Sequence, residues 1–227
     1  MLTQVTIVDY GVGNISSVSR AIQHFGAEAR VTDNPEEIMK ATRLVLPGVG
    51  AFSNGMQGLR ERGLVEPLRA YAESGRPLLG ICLGMQMLLT ISEEFGEHEG
   101  LGIIPGRVLP VVANDGSGIP LKVPHIGWSA LWMPPLRQTW DGSILEGMSV
   151  RSSVYFVHSF TAVPLHEEHR LADTMYGDCR ISAAIQMGNV TGCQFHPEKS
   201  ADVGLHIIKN FLGSTRVDRD DPVYGAA

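Results

Sequence analysis

The first 95 residues alternate strand-like and helix-like apolar segments with short links, and this alternation constrains the fold more than anything else in the chain. Val5-Thr6-Ile7-Val8 is a β-branched run that ends at Asp9. After turn-prone Gly11 and Gly13, the residues Ile15, Val18, Ile22 and Phe25 recur at helical spacing, and Gly26 stops them. Residues 27–31 read as a second strand. Asn34-Pro35-Glu36-Glu37 is a helix start, with a capping Asn, Pro in the first turn and acids at the helix's positive end. Leu44-Val45-Leu46 is a third strand, stopped by Pro47-Gly48. Residues 59–72 are mostly helical, 77–81 form a fourth strand, and 85–91 form an apolar helix. Strands and helices in this order imply parallel strands with helices on both faces.

Beyond residue 100 the pattern changes. Up to about residue 148 Gly and Pro are more frequent and periodicity fades, which predicts loops and antiparallel strands. Residues 154–160 read as a strand. Residues 181–187 and 190–195 read as two strands joined by Gly188-Asn189, a two-residue hairpin signal. A closing helix spans 203–212. The expected fold is α/β: a mostly parallel central sheet with helices on both faces, plus an antiparallel strand set. Residues 1–213 form a single domain, and 214–227 a polar C-terminal tail expected to fray.

Charge and cysteine content narrow the function classes. A net charge of -6 argues against nucleic acid or an anionic membrane as the main partner, since both require a cationic footprint. No apolar run is long enough to span a bilayer, and Met1-Leu2-Thr3-Gln4 lacks the basic and apolar regions of a signal peptide, so a cytoplasmic location is expected. Three cysteines with no CxxC pair fit neither a disulfide framework nor a zinc site, and no metal or cofactor is expected. Cys179 and Cys193 read as small buried hydrophobes.

Cys82 is different. Gly80-Ile81-Cys82-Leu83-Gly84 follows a buried strand and opens an apolar helix, the context of a nucleophile elbow. Flanking glycines let the chain turn tightly, which sends the central side chain off the sheet edge. The helix start favours thiolate, and the Leu83 N–H is left to bind an oxyanion. Taken alone, the pentapeptide also describes a buried Cys in a tightly packed turn.

A nucleophilic Cys needs a His able to take and return a proton. Among eight histidines, His196 ends a strand in Gln194-Phe195-His196-Pro197-Glu198. Pro197 holds His196 extended. Glu198 is close enough to accept from one ring nitrogen and leave the other for a thiol. By itself this triplet slightly favours a plain strand-end His with a solvated Glu. An elbow Cys together with a late strand-end His-x-Glu is hard to obtain by accident.

With both motifs in view, the chain resembles the class I glutamine amidotransferases. Gly80-Ile81-Cys82-Leu83-Gly84-Met85-Gln86 is similar to their nucleophile motif, and Gln194-Phe195-His196-Pro197-Glu198 to their His/Glu motif. The resemblance narrows to the amidotransferase subunits of imidazole glycerol phosphate synthase. It does so through Asp9-Tyr10-Gly11-Val12-Gly13-Asn14, Pro47-Gly48-Val49-Gly50-Ala51-Phe52, Pro124-His125-Ile126-Gly127-Trp128 and Tyr155-Phe156-Val157-His158-Ser159. It implies hydrolysis of L-glutamine by Cys82, His196 and Glu198, with an oxyanion hole from Leu83 and the Gly48-Val49 loop. It also implies glutamine contacts at Gly50, Gln86, Glu94, Ser159 and Phe160, and delivery of ammonia to a barrel-shaped cyclase subunit. Trp128, in a loop bounded by Pro and Gly, joins Ile126 and Asn14 as expected partner contacts, although Asn14 equally suits a helix cap. Three positions depart from the pattern: Met187 stands where Lys is usual, Phe160 where Tyr is more common, and Ser129 where Asn is more usual.

Other readings stay open at this level. A related amidotransferase could feed a sugar-modifying partner. Gly11-Val12-Gly13 resembles a dinucleotide-binding turn, but Ser16 stands in place of the third glycine. A free-standing cysteine hydrolase is the third possibility.

Overall fold

The computed structural model describes residues 3–214. From residue 215 onward the expected frayed tail lies outside the described residues.

The sheet expected from the first 95 residues is present. Strands β1 (Gln4–Val8), β2 (Glu28–Thr32), β3 (Leu44–Gly48) and β4 (Leu78–Cys82) run parallel. They alternate with helices α1 (Ile15–Gln23), α2 (Pro35–Lys40), α3 (Phe52–Glu61) and α4 (Val65–Glu73). The expected start of α2 holds: Asn34 Oδ1 accepts from the Glu36 N–H at 2.8 Å. The single helix expected over 59–72 is instead two. Gly63, at φ +64°, ends α3 before α4 begins.

The apolar helix expected over 85–91 is also shorter. Helix α5 covers only Leu83–Met87, and the chain re-enters a sheet as β5 (Leu89–Ser92). A second sheet forms from β5, β6 (His98–Glu99), β7 (Ile104–Pro110) and β10 (Phe160–Pro164), in the order β10-β7-β5-β6. A ribbon pairs β8 (His125–Ala130) with β9 (Ser153–His158). Trp128 therefore sits in a strand rather than a loop. The strand expected over 154–160 breaks at Ser159, so β9 and β10 join different sheets.

Strands β11 (Arg170–Tyr176), β12 (Cys179–Met187) and β13 (Val190–Cys193) complete the main sheet, in the order β11-β12-β13-β4-β3-β1-β2. The hairpin at Gly188-Asn189 joins β12 to β13 as expected, and β13 lies parallel to β4. Helix α6 (Ala201–Gly213) closes the described chain.

Two apolar clusters cover the main sheet. Val5, Ile7, Val45, Leu79 and Ile81 pack against Val18 and Ile22 of α1 and Ile207, Ile208 and Phe211 of α6. Leu44, Leu46 and Leu78 pack with Ile38, Leu59, Leu68 and Met85 of the other helices. Strand pleating sends Val45 to one face and its neighbours Leu44 and Leu46 to the other. With both faces covered, the polar chemistry is left to the strand ends.

Candidate active site

Three strands of the parallel sheet end side by side. Gly48, the last residue of β3, is in register with Cys82, the last residue of β4. Next to β4, β13 pairs Cys193 with Ile81 and continues into Gln194, Phe195 and His196. Residues far apart in the chain thus meet at the C-terminal edge.

Cys82 lies at φ 54° and ψ -110°, a conformation few L-residues adopt. A residue held there carries strain of order 1–3 kcal/mol that its surroundings must hold. The flanking glycines explain how. A Cβ on Gly84 would collide with the Leu46 carbonyl, and one on Gly80 would lie 2.8 Å from the Met85 nitrogen. A Cβ on Gly48 would lie 2.9 Å from the Gly84 nitrogen and would strike the Tyr10 hydroxyl. The elbow is therefore pressed against β3, and only glycine fits at the contacts.

His196 is fixed from three sides. Its backbone N–H donates to the Tyr155 carbonyl at 3.0 Å, and Ser200 Oγ donates to its carbonyl at 2.7 Å. Pro197 follows, and His196 is extended at φ -99° and ψ 98°. Nδ1 donates to Glu198 Oε1 at 2.8 Å, and both side chains are almost wholly buried. Nε2 is buried and makes no hydrogen bond among the described residues, so it is the nitrogen free to exchange a proton. Burial alone would lower the affinity of this ring for a proton. The Cys82 sulfur and the Glu198 carboxylate more than offset it and push the imidazole up to about 9.

A cavity of about 530 Å³ opens over this edge, bounded by Cys82, Leu83 and His196. All five residues expected to contact glutamine line it: Gly50, Gln86, Glu94, Ser159 and Phe160. Val49 lines it too, while Gly48 packs behind. Glu94 has a second task. Its Oε2 accepts from the Phe52 N–H at 2.5 Å, at the start of α3 where no neighbouring side chain caps the helix. A carboxylate there meets the helix's positive end and anchors the loop that carries Val49 and Gly50. Phe95 stands at the mouth, 86% exposed, with its ring edge toward Phe160 at 6.1 Å.

The expected partner contacts lie outside the cavity. Ile126 and Trp128 are 59% and 54% exposed on β8. Asn14 occupies the N-cap position of α1, but its side chain makes no capping hydrogen bond, so the cap explanation fails.

Two residues escape sequence reasoning. Tyr10, fully buried, donates from its hydroxyl to the Pro47 carbonyl at 2.7 Å and braces the β3 end. Burial and the nearby Cys82 both push its phenol well above the usual range. Gln194, also fully buried, presents Nε2 to the Cys82 sulfur at 3.7 Å. Each sits one or two residues past a strand end, a placement that points to the site edge once the strand order is known. Of the other cysteines, Cys193 is buried as expected and burial raises its thiol well above the ordinary value. Cys179 is only half-buried.

Comparison with known proteins bears on the family and the fold. Residues 6–214 match the family model described as "Glutamine amidotransferase class-I". The chain is 54% identical over 211 residues to "Imidazole glycerol phosphate synthase subunit HisH 1" of Legionella pneumophila (strain Lens), covering 93% of this chain and 99% of that protein. It is 48% identical over 208 residues to "Imidazole glycerol phosphate synthase subunit HisH" of Syntrophotalea carbinolica, covering 91% and 98%. Among solved structures, "Structure of PurLQS from Thermotoga maritima" superposes with a TM-score of 0.68 at 18% identity, covering 94% and 99%. "Crystal structure of glutamine amidotransferase" superposes at 0.67 and 22% identity, covering 92% and 98%. The α/β fold is thus shared well beyond recognisable sequence, and the chain belongs to the class I glutamine amidotransferase family.

Proposed function

We propose that this chain hydrolyses L-glutamine to glutamate and ammonia as the amidotransferase subunit of an imidazole glycerol phosphate synthase, in histidine biosynthesis. The ammonia passes to a separate, barrel-shaped cyclase subunit. One observation carries the reading: a strained Cys82 and a Glu198-oriented His196 bound the same cavity. The printed names of the relatives supply the choice of partner.

In this reading the Cys82 sulfur attacks the side-chain amide carbon of glutamine. Negative charge develops on the amide oxygen, where the backbone N–H groups of Leu83 and Val49 serve as donors. Gly50, at φ +94° and with open space around it, leaves the Val49 loop free to turn its N–H inward. Protonated His196 gives its proton to the departing nitrogen. Ammonia leaves and a γ-glutamyl thioester remains on Cys82. Neutral His196 then takes a proton from water, whose oxygen attacks the thioester; glutamate departs and the thiolate is restored. Glu198 holds the ring orientation throughout. Gln86, Glu94, Ser159 and Phe160 hold the amino acid.

The test uses the complex with the cyclase. Cys82→Ala abolishes synthesis driven by glutamine and leaves synthesis driven by added ammonium intact, with product followed by absorbance. Glutamine-driven synthesis at the wild-type rate in Cys82→Ala overturns the reading.

A further inference from the structure

We propose that Gln194 is a positioning residue for the nucleophile, its side-chain amide held with an N–H toward the Cys82 sulfur by a directed chain of hydrogen bonds. The inference rests on the glutaminase reading only for its consequence in catalysis; its geometry stands apart.

The direction of the chain is set by a backbone carbonyl, which can only accept. Gln86 Nε2 lies 3.1 Å from the Phe160 carbonyl oxygen and 3.0 Å from Gln194 Oε1. The nitrogen end of Gln86 must face Phe160, and its second hydrogen then points at Gln194. Gln194 must answer with its oxygen. Its own NH₂ is thereby turned to the sulfur, 3.7 Å away. Turning over either amide would set two acceptors or two donors against each other in a buried site.

The carbonyl is itself held. His158 Nδ1 donates to Phe160 O at 2.9 Å. This leaves His158 Nε2 as an acceptor, 3.0 Å from His125 Nδ1, which therefore carries the proton. His125 Nε2 then accepts from the Ser129 hydroxyl at 2.9 Å. Burial lowers the proton affinity of both rings and keeps them neutral, as this arrangement requires. The His125 ring is further clamped between Phe156 and Tyr176 at centroid distances of 5.0 and 4.3 Å.

An N–H aimed at sulfur stabilises thiolate over thiol, because hydrogen bonds to the charged form favour it. Helix α5, barely more than one turn long, offers little dipole for the same purpose. Gln194 supplies the donor that the short helix does not.

The test reads the sulfur without glutamine. Cys82 in the full-length chain is alkylated with iodoacetamide across pH, and the labelled peptide is identified by mass spectrometry. Gln194→Met, close in shape but without a donor, raises the midpoint of Cys82 alkylation by about one pH unit. Gln194→Glu, which turns a carboxylate toward the sulfur, raises it further. A Gln194→Met midpoint equal to wild type overturns the proposal, as does a Gln194→Glu midpoint no higher than that of Gln194→Met. Should neither variant fold, Gln86→Met decides: freeing the Gln194 amide to turn raises the midpoint by a smaller amount, and an unchanged midpoint overturns the proposal. Because no glutamine is turned over, loss of the glutaminase reading and loss of this inference give separate signals.

Discussion

His158 takes up a second ring proton only near pH 4, because burial strips the imidazolium of water and outweighs the help of the Phe160 carbonyl; the His125 and His196 rings disfavour the charge further. An unfolded chain takes the same proton near the ordinary histidine value of 6.5. Between these values the unfolded state binds a proton that the folded state refuses, so stability falls as pH drops through the window. The expected loss from this one ring is about 3 kcal/mol. Urea unfolding from neutral pH down to about 4 measures it, and His158→Gln should flatten that part of the profile. At the scale of single residues, Cys82, His196 and Glu198 were legible in sequence because their chemistry depends on residue type and on close neighbours. The Gly-x-Cys-x-Gly turn and the Pro after His196 are local signals. Gln194 and Gln86 were not legible as a pair, since they lie 108 positions apart and meet only because β13 lies beside β4.

Among the elements, the β8–β9 ribbon carries the clearest division of labour. The inward His125 joins the buried chain behind the site, while Ile126 and Trp128 on the same strand face outward. Trp128 meets Tyr155 edge-on at a centroid distance of 6.0 Å and is 54% exposed. Replacing it should cost the free chain little, within about 0.5 kcal/mol, since exposed side chains support the fold weakly. At an interface the same side chain commonly contributes 2 kcal/mol or more. Trp128→Ala is therefore expected to leave the melting temperature nearly unchanged and to weaken cyclase binding by roughly 30-fold, as read by titration calorimetry. Unchanged binding would remove Trp128 from the interface. The sequence misread α5 and β5 for a physical reason. Met85, Met87, Leu88 and Leu89 are all fully buried, so the segment offers no polar face from which to tell a helix period from a strand. What ends the helix is pairing of β5 with β7, a tertiary choice that no local spacing records. By contrast, β1 to β4 and the Gly188-Asn189 hairpin carry their own turn residues and emerge where expected.

At the scale of the whole molecule, the fold serves mainly to bring strand ends together. Helices on both faces bury the sheet, and β3, β4 and β13 finish side by side, so that the Val49 loop, Cys82 and His196 share one cavity. The order of those strands could not be read from the chain; the parallel alternation required the C-terminal ends of β3 and β4 to share one edge, but it did not place β13 beside them. The central claim, that this edge performs acyl transfer from glutamine through Cys82, is tested most directly by acid-quenching the cyclase-bound protein during turnover and mapping the γ-glutamyl thioester by mass spectrometry. The account predicts the adduct on the Cys82 peptide, absent from the peptides of Cys179 and Cys193. Undiminished glutamine hydrolysis with Cys82 never acylated, or an adduct on another residue, would contradict it.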